Sequence, residues 1–177
     1  MTKVKLATTW LDGCSGCHMS VMDLDEVLME LADLVEVVYS PIVDHKEIPD
    51  GIEIALIEGA VSNEEDLEKV HKLRKKSKML VSLGDCAVTA NVPSMRNSFH
   101  LNDVYSRSYK ENACEQTGVP TVEVPKLLEK SKPLHEHVHI DVYIPGCPPS
   151  ADSIEFALRE LLEGRVPDIH AMTRFGA

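Results

Sequence analysis

No apolar run in the sequence approaches the length that spans a bilayer. The N-terminal stretch "MTKVKLATTW" has no twin arginine, no long apolar core and no small-residue cleavage site. Membrane insertion and export are therefore not expected, and the expected location is the cytoplasm. Basic side chains are also short in number, 18 against 29 acidic ones, for a formal net charge of −11. A surface of that sign repels nucleic acid and anionic lipid. Internal repeats and low-complexity segments are missing too. What remains is a chain of 177 residues, 44% apolar and 27% charged. That suits one ordinary domain, residues 1–177, with a core large enough to need no disulfide staples.

Strand and helix signals alternate along it. "KVKLATTW" (3–10), "LVEVVYS" (34–40), "IEIALIE" (52–58), "KMLVSLG" (78–84) and "VHIDVYIP" (138–145) have the composition of strands. Between them, Val21, Leu24, Leu28 and Leu31 are spaced for one helix over 19–32. Ser62 with Glu65 forms a capping-box pattern opening a second helix, which closes on Arg74, Lys75 and Lys76. Ser150 opens a last helix that Gly164 stops. Residues 98–118 are polar, lack a clean period and are expected to run over the surface. The alternation predicts an α/β fold: a flavodoxin-like three-layer sandwich around a central parallel sheet. Ligands of such sheets gather beyond the carboxyl ends of the strands.

Five cysteines in a chain of this kind are better suited to ligation or catalysis than to structural disulfides. Cys14 and Cys17 follow the first strand, Cys86 the fourth and Cys147 the fifth, so all four belong to loops at one end of the predicted sheet. Glycine marks the same four: Gly13 and Gly16, Gly84, and Gly146. A cluster sulfur needs backbone N–H groups to approach closely, which a Cβ often obstructs. Helices starting near residues 18 and 150 would point their N-termini to the same end and favour negative charge there. Cys114, in the polar excursion, has its nearest glycine four residues away and is most simply a spare thiol.

Three rival readings use the same residues. A thioredoxin-like dithiol explains Cys14, Cys17 and nearby Trp10, but gives Cys86 and "PGCPP" no task. A structural zinc site normally takes close ligand pairs, whereas the third and fourth thiols here come singly from distant loops. Four inert buried cysteines gathered at one sheet end beside glycine are a poor alternative. Four-thiolate ligation of one [4Fe–4S] cluster accounts for the whole set. FMN is a minority option for this sheet type, because the first loop carries cysteines where a Ser/Thr-rich phosphate run would be expected.

"CSGC" after the first strand, "GDCAVTANVPSMRN" after the fourth and "PGCPP" after the fifth together resemble the small subunit of [NiFe] hydrogenases. The likeness is nearest to the short subunits of cytoplasmic, NAD(P)-linked bidirectional enzymes, and it is weakest over residues 98–135. The resemblance implies a flavodoxin-like domain whose Cys14, Cys17, Cys86 and Cys147 hold the [4Fe–4S] cluster nearest the nickel–iron centre. It implies that a large subunit carries nickel and iron. It also implies that iron–sulfur and flavin subunits pass electrons on to NAD(P), either simply or by bifurcation. Two departures stand out. Periplasmic members have a further domain with two more clusters, and no cysteines are left here to hold them. They also carry a glutamate before the first ligand, where this chain has Gly13, so a proton route through that carboxylate is not carried over. The cluster subunit of respiratory complex I shares the fold but has adjacent cysteines at the first motif. Ser15 and Gly16 separate them here, which favours the hydrogenase.

Other residues admit two readings each. Glu58 at the end of the third strand either satisfies nearby backbone N–H groups or serves the cluster loops and proton relay; the former is favoured. Asp85 is expected to brace its turn. His18 either donates to a cluster sulfur or lies exposed at a helix start. His135, His137 and His139 alternate, but meet no known ligand spacing and are expected in solvent. Arg96 and Asn97 either line the large-subunit interface or are ordinary surface polarity.

Overall fold

The computed structural model describes residues 3–173. Five strands, β1 (Val4–Trp10), β2 (Val35–Tyr39), β3 (Ile52–Glu58), β5 (Ser77–Leu83) and β7 (Val142–Ile144), form one sheet in the order β2-β1-β3-β5-β7. Every pairing in it is parallel. The order reverses between β1 and β3, as in flavodoxin-like sheets, whose ligands gather beyond the strand ends. β3 is buried along nearly its whole length, which is why its sequence is an almost unbroken apolar run.

Helices α1 (Gly16–Met22), α2 (Glu26–Ala32) and α6 (Ala151–Leu162) cover one face, packing on Leu6, Ile54, Leu56, Val81, Leu83 and Ile144. The other face packs Ala7, Ala55, Ile57 and Leu80 against Val70 and Leu73 of α3 (Glu64–Lys76) and Ala87 of α4 (Asp85–Thr89). Two cores on opposite faces make the three layers expected from the alternation.

Several boundaries differ from the expectation. The helix foreseen over 19–32 is two helices, with Asp25 at φ 48° between them. Asp23 and Asp25 sit at this break, and aspartate favours turns over helix interiors. Leu24 and Leu31 still turn inward, so the apolar spacing survives the break. The cap of α3 is Asn63, whose side chain accepts from Asp66 N at 2.9 Å. Ser62 instead bonds Ser131 Oγ at 2.6 Å. That bond joins β4 (Val61–Asn63) to β6 (Leu127–Lys132), a small antiparallel sheet with no alternating pattern to announce it.

The last sheet strand is shorter than foreseen. Asp141 Oδ2 accepts from Leu80 N at 2.7 Å, taking a donor the ladder would otherwise use, so pairing begins at Val142. The polar excursion contains α5 (Leu101–Ser106) and a π-turn over Arg107–Glu111. The histidine segment opens with a 3₁₀ turn, Leu134–Glu136, so His135, His137 and His139 share no strand face. His135 and His139 are exposed, as expected, while His137 is half-buried. No helix among the described residues is long and apolar enough to cross a membrane.

Candidate functional site

The carboxyl ends of β1, β5 and β7 deliver the four thiols to one place. β1 leads into the loop holding Cys14, with Cys17 in the first turn of α1, and Leu11 N donates to Glu58 O at the end of β3 at 2.9 Å. A bridge between Asp12 and Ala60 adds bonds of 3.1 and 2.7 Å. β5 ends at Gly84, and Cys86 lies in the first turn of α4. β7 ends before Gly146 and Cys147, with a cis peptide between Cys147 and Pro148.

The last two loops are latched together. Gly84 N donates to Ile144 O at 2.7 Å, and Asp85 N to Gly146 O at 2.8 Å. The Asp85 carboxylate accepts from Gly146 N at 2.7 Å, the bracing role expected of it.

Gly84 shows how tightly the thiols are seated. It has φ +80°, and a Cβ built there would stand 2.1 Å from Cys17 Sγ. A Cβ on Gly16 would meet Cys14 Sγ at 3.2 Å. Among the described residues, only at Gly84 do backbone conformation and sulfur contact both demand glycine.

Electrostatics report the same convergence. The Cys17 thiol is pushed up to about 12, first by burial, then by the negative charge of Glu58, Cys86, Cys14 and Cys147. Cys86 is also raised, by burial first; the Val92 N–H works against the rise, while Cys147, Cys14 and Asp12 add to it. Four thiolates cannot share this space unless a cation neutralises them. Cys14 and Cys147 are exposed, so the set opens to the surface. Cys114 is exposed in the polar excursion and is not among the charges that act on Cys17 or Cys86. Among the described residues no three Cys, His, Asp or Glu side chains close on a single metal ion.

Beneath the first loop lies a buried polar chain. Glu58 Oε2 accepts from His18 N at 2.6 Å and lies 2.7 Å from His18 Nδ1. His18 Nε2 is 3.0 Å from Thr8 Oγ1, which is 2.8 Å from Ser40 Oγ. Glu58 thus satisfies a backbone N–H, as favoured from the sequence. His18 is neither exposed nor bonded to a sulfur, because both ring nitrogens are engaged elsewhere. The first turn of α1 consequently serves Glu58, where the sequence suggested a bound anion. Thr8 and Ser40 carry no advance signal, being single hydroxyls in strand-like runs.

Arg96 and Asn97 bond to the main chain of the small sheet. Arg96 donates to the carbonyls of Ser62, Leu128 and Glu129, and Asn97 exchanges two bonds of 2.7 and 2.8 Å with the Ser131 main chain. Both tie the 3₁₀ segment Val92–Ser98 to the small sheet.

The sequence profile of the NADH ubiquinone oxidoreductase 20 Kd subunit family matches residues 14–161. Subunit delta of the NAD-reducing hydrogenase HoxS of Cupriavidus necator is 40% identical over 172 residues, covering 94% of this chain and 82% of its own. A subunit of the F420-non-reducing hydrogenase vhu of Methanocaldococcus jannaschii is 39% identical over 168 residues. That match covers 94% of this chain but 58% of the archaeal one, so relative to such proteins this chain spans little more than half the length. A chain in the crystal structure of an NAD+-reducing [NiFe]-hydrogenase in the H2-reduced state superposes with a TM-score of 0.93 at 38% identity, over 98% of this chain and 99% of that one. A [NiFeSe]-hydrogenase chain of Dm. baculatum, at 17% identity and a TM-score of 0.61, shares the fold. This chain belongs to the NADH ubiquinone oxidoreductase 20 Kd subunit family, and the bacterial and archaeal relatives just described are hydrogenase subunits.

Proposed function

We propose that the chain is the electron-transfer small subunit of a cytoplasmic, NAD(P)-linked [NiFe] hydrogenase, with Cys14, Cys17, Cys86 and Cys147 holding one [4Fe–4S] cluster. The observation that carries this is the convergence of four thiols, from loops after three parallel strands, on a spot where Gly84 leaves no room for a Cβ beside Cys17. The near-complete overlap with a chain of an NAD+-reducing [NiFe]-hydrogenase supports the same assignment.

When bound, the cluster supplies one-electron relay between the nickel–iron centre of a large subunit and the iron–sulfur and flavin subunits that reduce NAD(P). This chain's own residues position the relay. Gly84 and the Asp85 latch fix two ligand loops against each other. Glu58 anchors the third through His18. No general acid or nucleophile is required of the chain, and FMN is not needed for the role.

Docking has a surface to use. Trp10, Met19, Val92, Met95 and Phe99 are exposed on segments before or after ligand cysteines in the chain, and their apolar surface is available to a partner. Shielding the cluster edge with a large subunit would bury them.

Anaerobic purification with whatever co-purifies, followed by iron and sulfide assay and EPR after dithionite reduction, tests the proposal. About four irons per chain are expected for one such cluster, with a reduced-cluster signal that Cys86→Ser abolishes and Cys114→Ser leaves intact. Nickel in a co-purifying subunit completes the assignment. An iron-free protein with a reversible Cys14–Cys17 disulfide would replace it with a dithiol oxidoreductase.

A further inference from the structure

Asn91 reaches a ligand sulfur without being a ligand. Its Nδ2 lies 3.6 Å from Cys147 Sγ, within the range of an N–H···S hydrogen bond. The residue sits just past α4, which ends at Ala90 in the left-handed conformation, φ 61°. Its carbonyl is held by Ser94, through N at 3.2 Å and Oγ at 2.8 Å. The main chain is therefore fixed, and the carboxamide is presented across the gap between two ligand loops.

The fold does not need that amide to join the loops. Gly84 to Ile144, Asp85 to Gly146 and Gly146 to the Asp85 carboxylate already latch them. Among the described residues, Cys147 Sγ is the one partner of Asn91 Nδ2. An exposed amide donor whose partner among the described residues is a sulfur, in a loop already braced by other bonds, is placed to act on the charge of that sulfur.

We propose that Asn91 is a tuning residue: its carboxamide donates to the Cys147 thiolate and raises the reduction potential of the centre the four thiols hold. The inference rests on the four-thiolate assignment above. Reduction adds negative charge, part of it on the ligand sulfurs, and a donor dipole aimed at one of them stabilises the reduced form more than the oxidised form. Removing the donor makes the centre harder to reduce. Replacing it with a carboxylate oxygen of the same shape adds like charge and deepens the effect. Electron delivery to or from a partner then depends on a side chain that does not itself ligate the metal.

The test is an EPR-monitored redox titration of the complex purified anaerobically, with iron content measured on the same samples. In Asn91→Ala the reduced-to-oxidised ratio at a fixed potential falls by roughly threefold, and in Asn91→Asp by about tenfold, the latter equivalent to about 59 mV for one electron. Iron per chain stays at the wild-type level in both. Asn91→Gln, which keeps an amide donor, recovers part of the shift. Equal potentials in wild type, Ala and Asp variants overturn the proposal. So does a fall in iron content with the remaining centres titrating as wild type, which would make Asn91 a structural brace. A wild-type protein without iron and sulfide overturns the four-thiolate assignment itself, a result distinct from either.

Discussion

One carboxylate oxygen of Glu58 receives two groups of His18, the main-chain N–H at 2.6 Å and ring Nδ1 at 2.7 Å, with both residues buried. Since His18 adjoins Cys17, this contact fixes the start of α1 and the loop that presents the first two thiols. Glu58→Ala leaves a backbone donor and a ring nitrogen without partners in the interior. A loss of about 3 kcal/mol is expected, on the scale for breaking a buried pair. Glu58→Gln keeps an acceptor and should lose less. Urea midpoints of the two variants check the order, and equal midpoints would show that the pair contributes little.

Gly84→Ala should be among the most damaging small substitutions in the chain. Its φ of +80° disfavours any Cβ, and the added carbon falls 2.1 Å from Cys17 Sγ. Either the sulfur or the β5–α4 turn must move, so iron uptake should drop severely. Gly118→Ala, where nothing lies within 4 Å, is the control and should load iron normally. Iron per chain after anaerobic reconstitution decides between them.

The parallel sheet and the thiol set are legible in the sequence because both have strong one-dimensional signals. β1, β3 and β5 are apolar runs of strand length, and each ligand loop carries cysteine beside glycine. The hidden parts depend on partners far apart in sequence. Ser62 has the pattern of a helix cap, yet Ser131, 69 residues away, claims its hydroxyl. The Thr8–His18–Glu58 chain joins residues from β1, α1 and β3, none unusual alone. His18 departs from both of its expected roles for the same reason: a histidine beside a loop cysteine gives no sign of a carboxylate 40 positions on. Asn91 lies in a motif conspicuous for its cysteine, yet a donor to sulfur 56 residues away is invisible without coordinates.

Arg96→Ala separates folding from docking at a position the sequence left open. The guanidinium donates to three carbonyls across β4 and β6, at 2.9 to 3.2 Å. Losing them should lower stability by about 1–2 kcal/mol, the scale of partly exposed hydrogen bonds to a charged group. Arg96→Lys should recover only part, because one ammonium cannot match the fork. Thermal melting should show the loss while partner capture persists at low temperature. The reverse result, normal melting with lost capture, would return Arg96 to the interface.

The raised thiols make the metal-free chain sensitive to alkali. Cys17 moves from an ordinary 9.0 to about 12, through burial first and neighbouring negative charge second. Unfolding frees that thiol to ionise near its ordinary value, so above it the unfolded chain binds fewer protons than the folded one. Stability is therefore fully present below about pH 9 and is lost progressively as the pH climbs toward 12. Urea midpoints of the metal-free chain should fall between about pH 9 and pH 12, and Cys17→Ser should flatten the fall. Iron reverses the balance, because ligation requires thiolate and expels the proton before alkali can. Loaded protein should accordingly release protons on reconstitution, measurable in weak buffer, and lose the Cys17 contribution to alkaline sensitivity. An alkaline slope equal in wild type and Cys17→Ser would mean that Cys17 is not the group responsible.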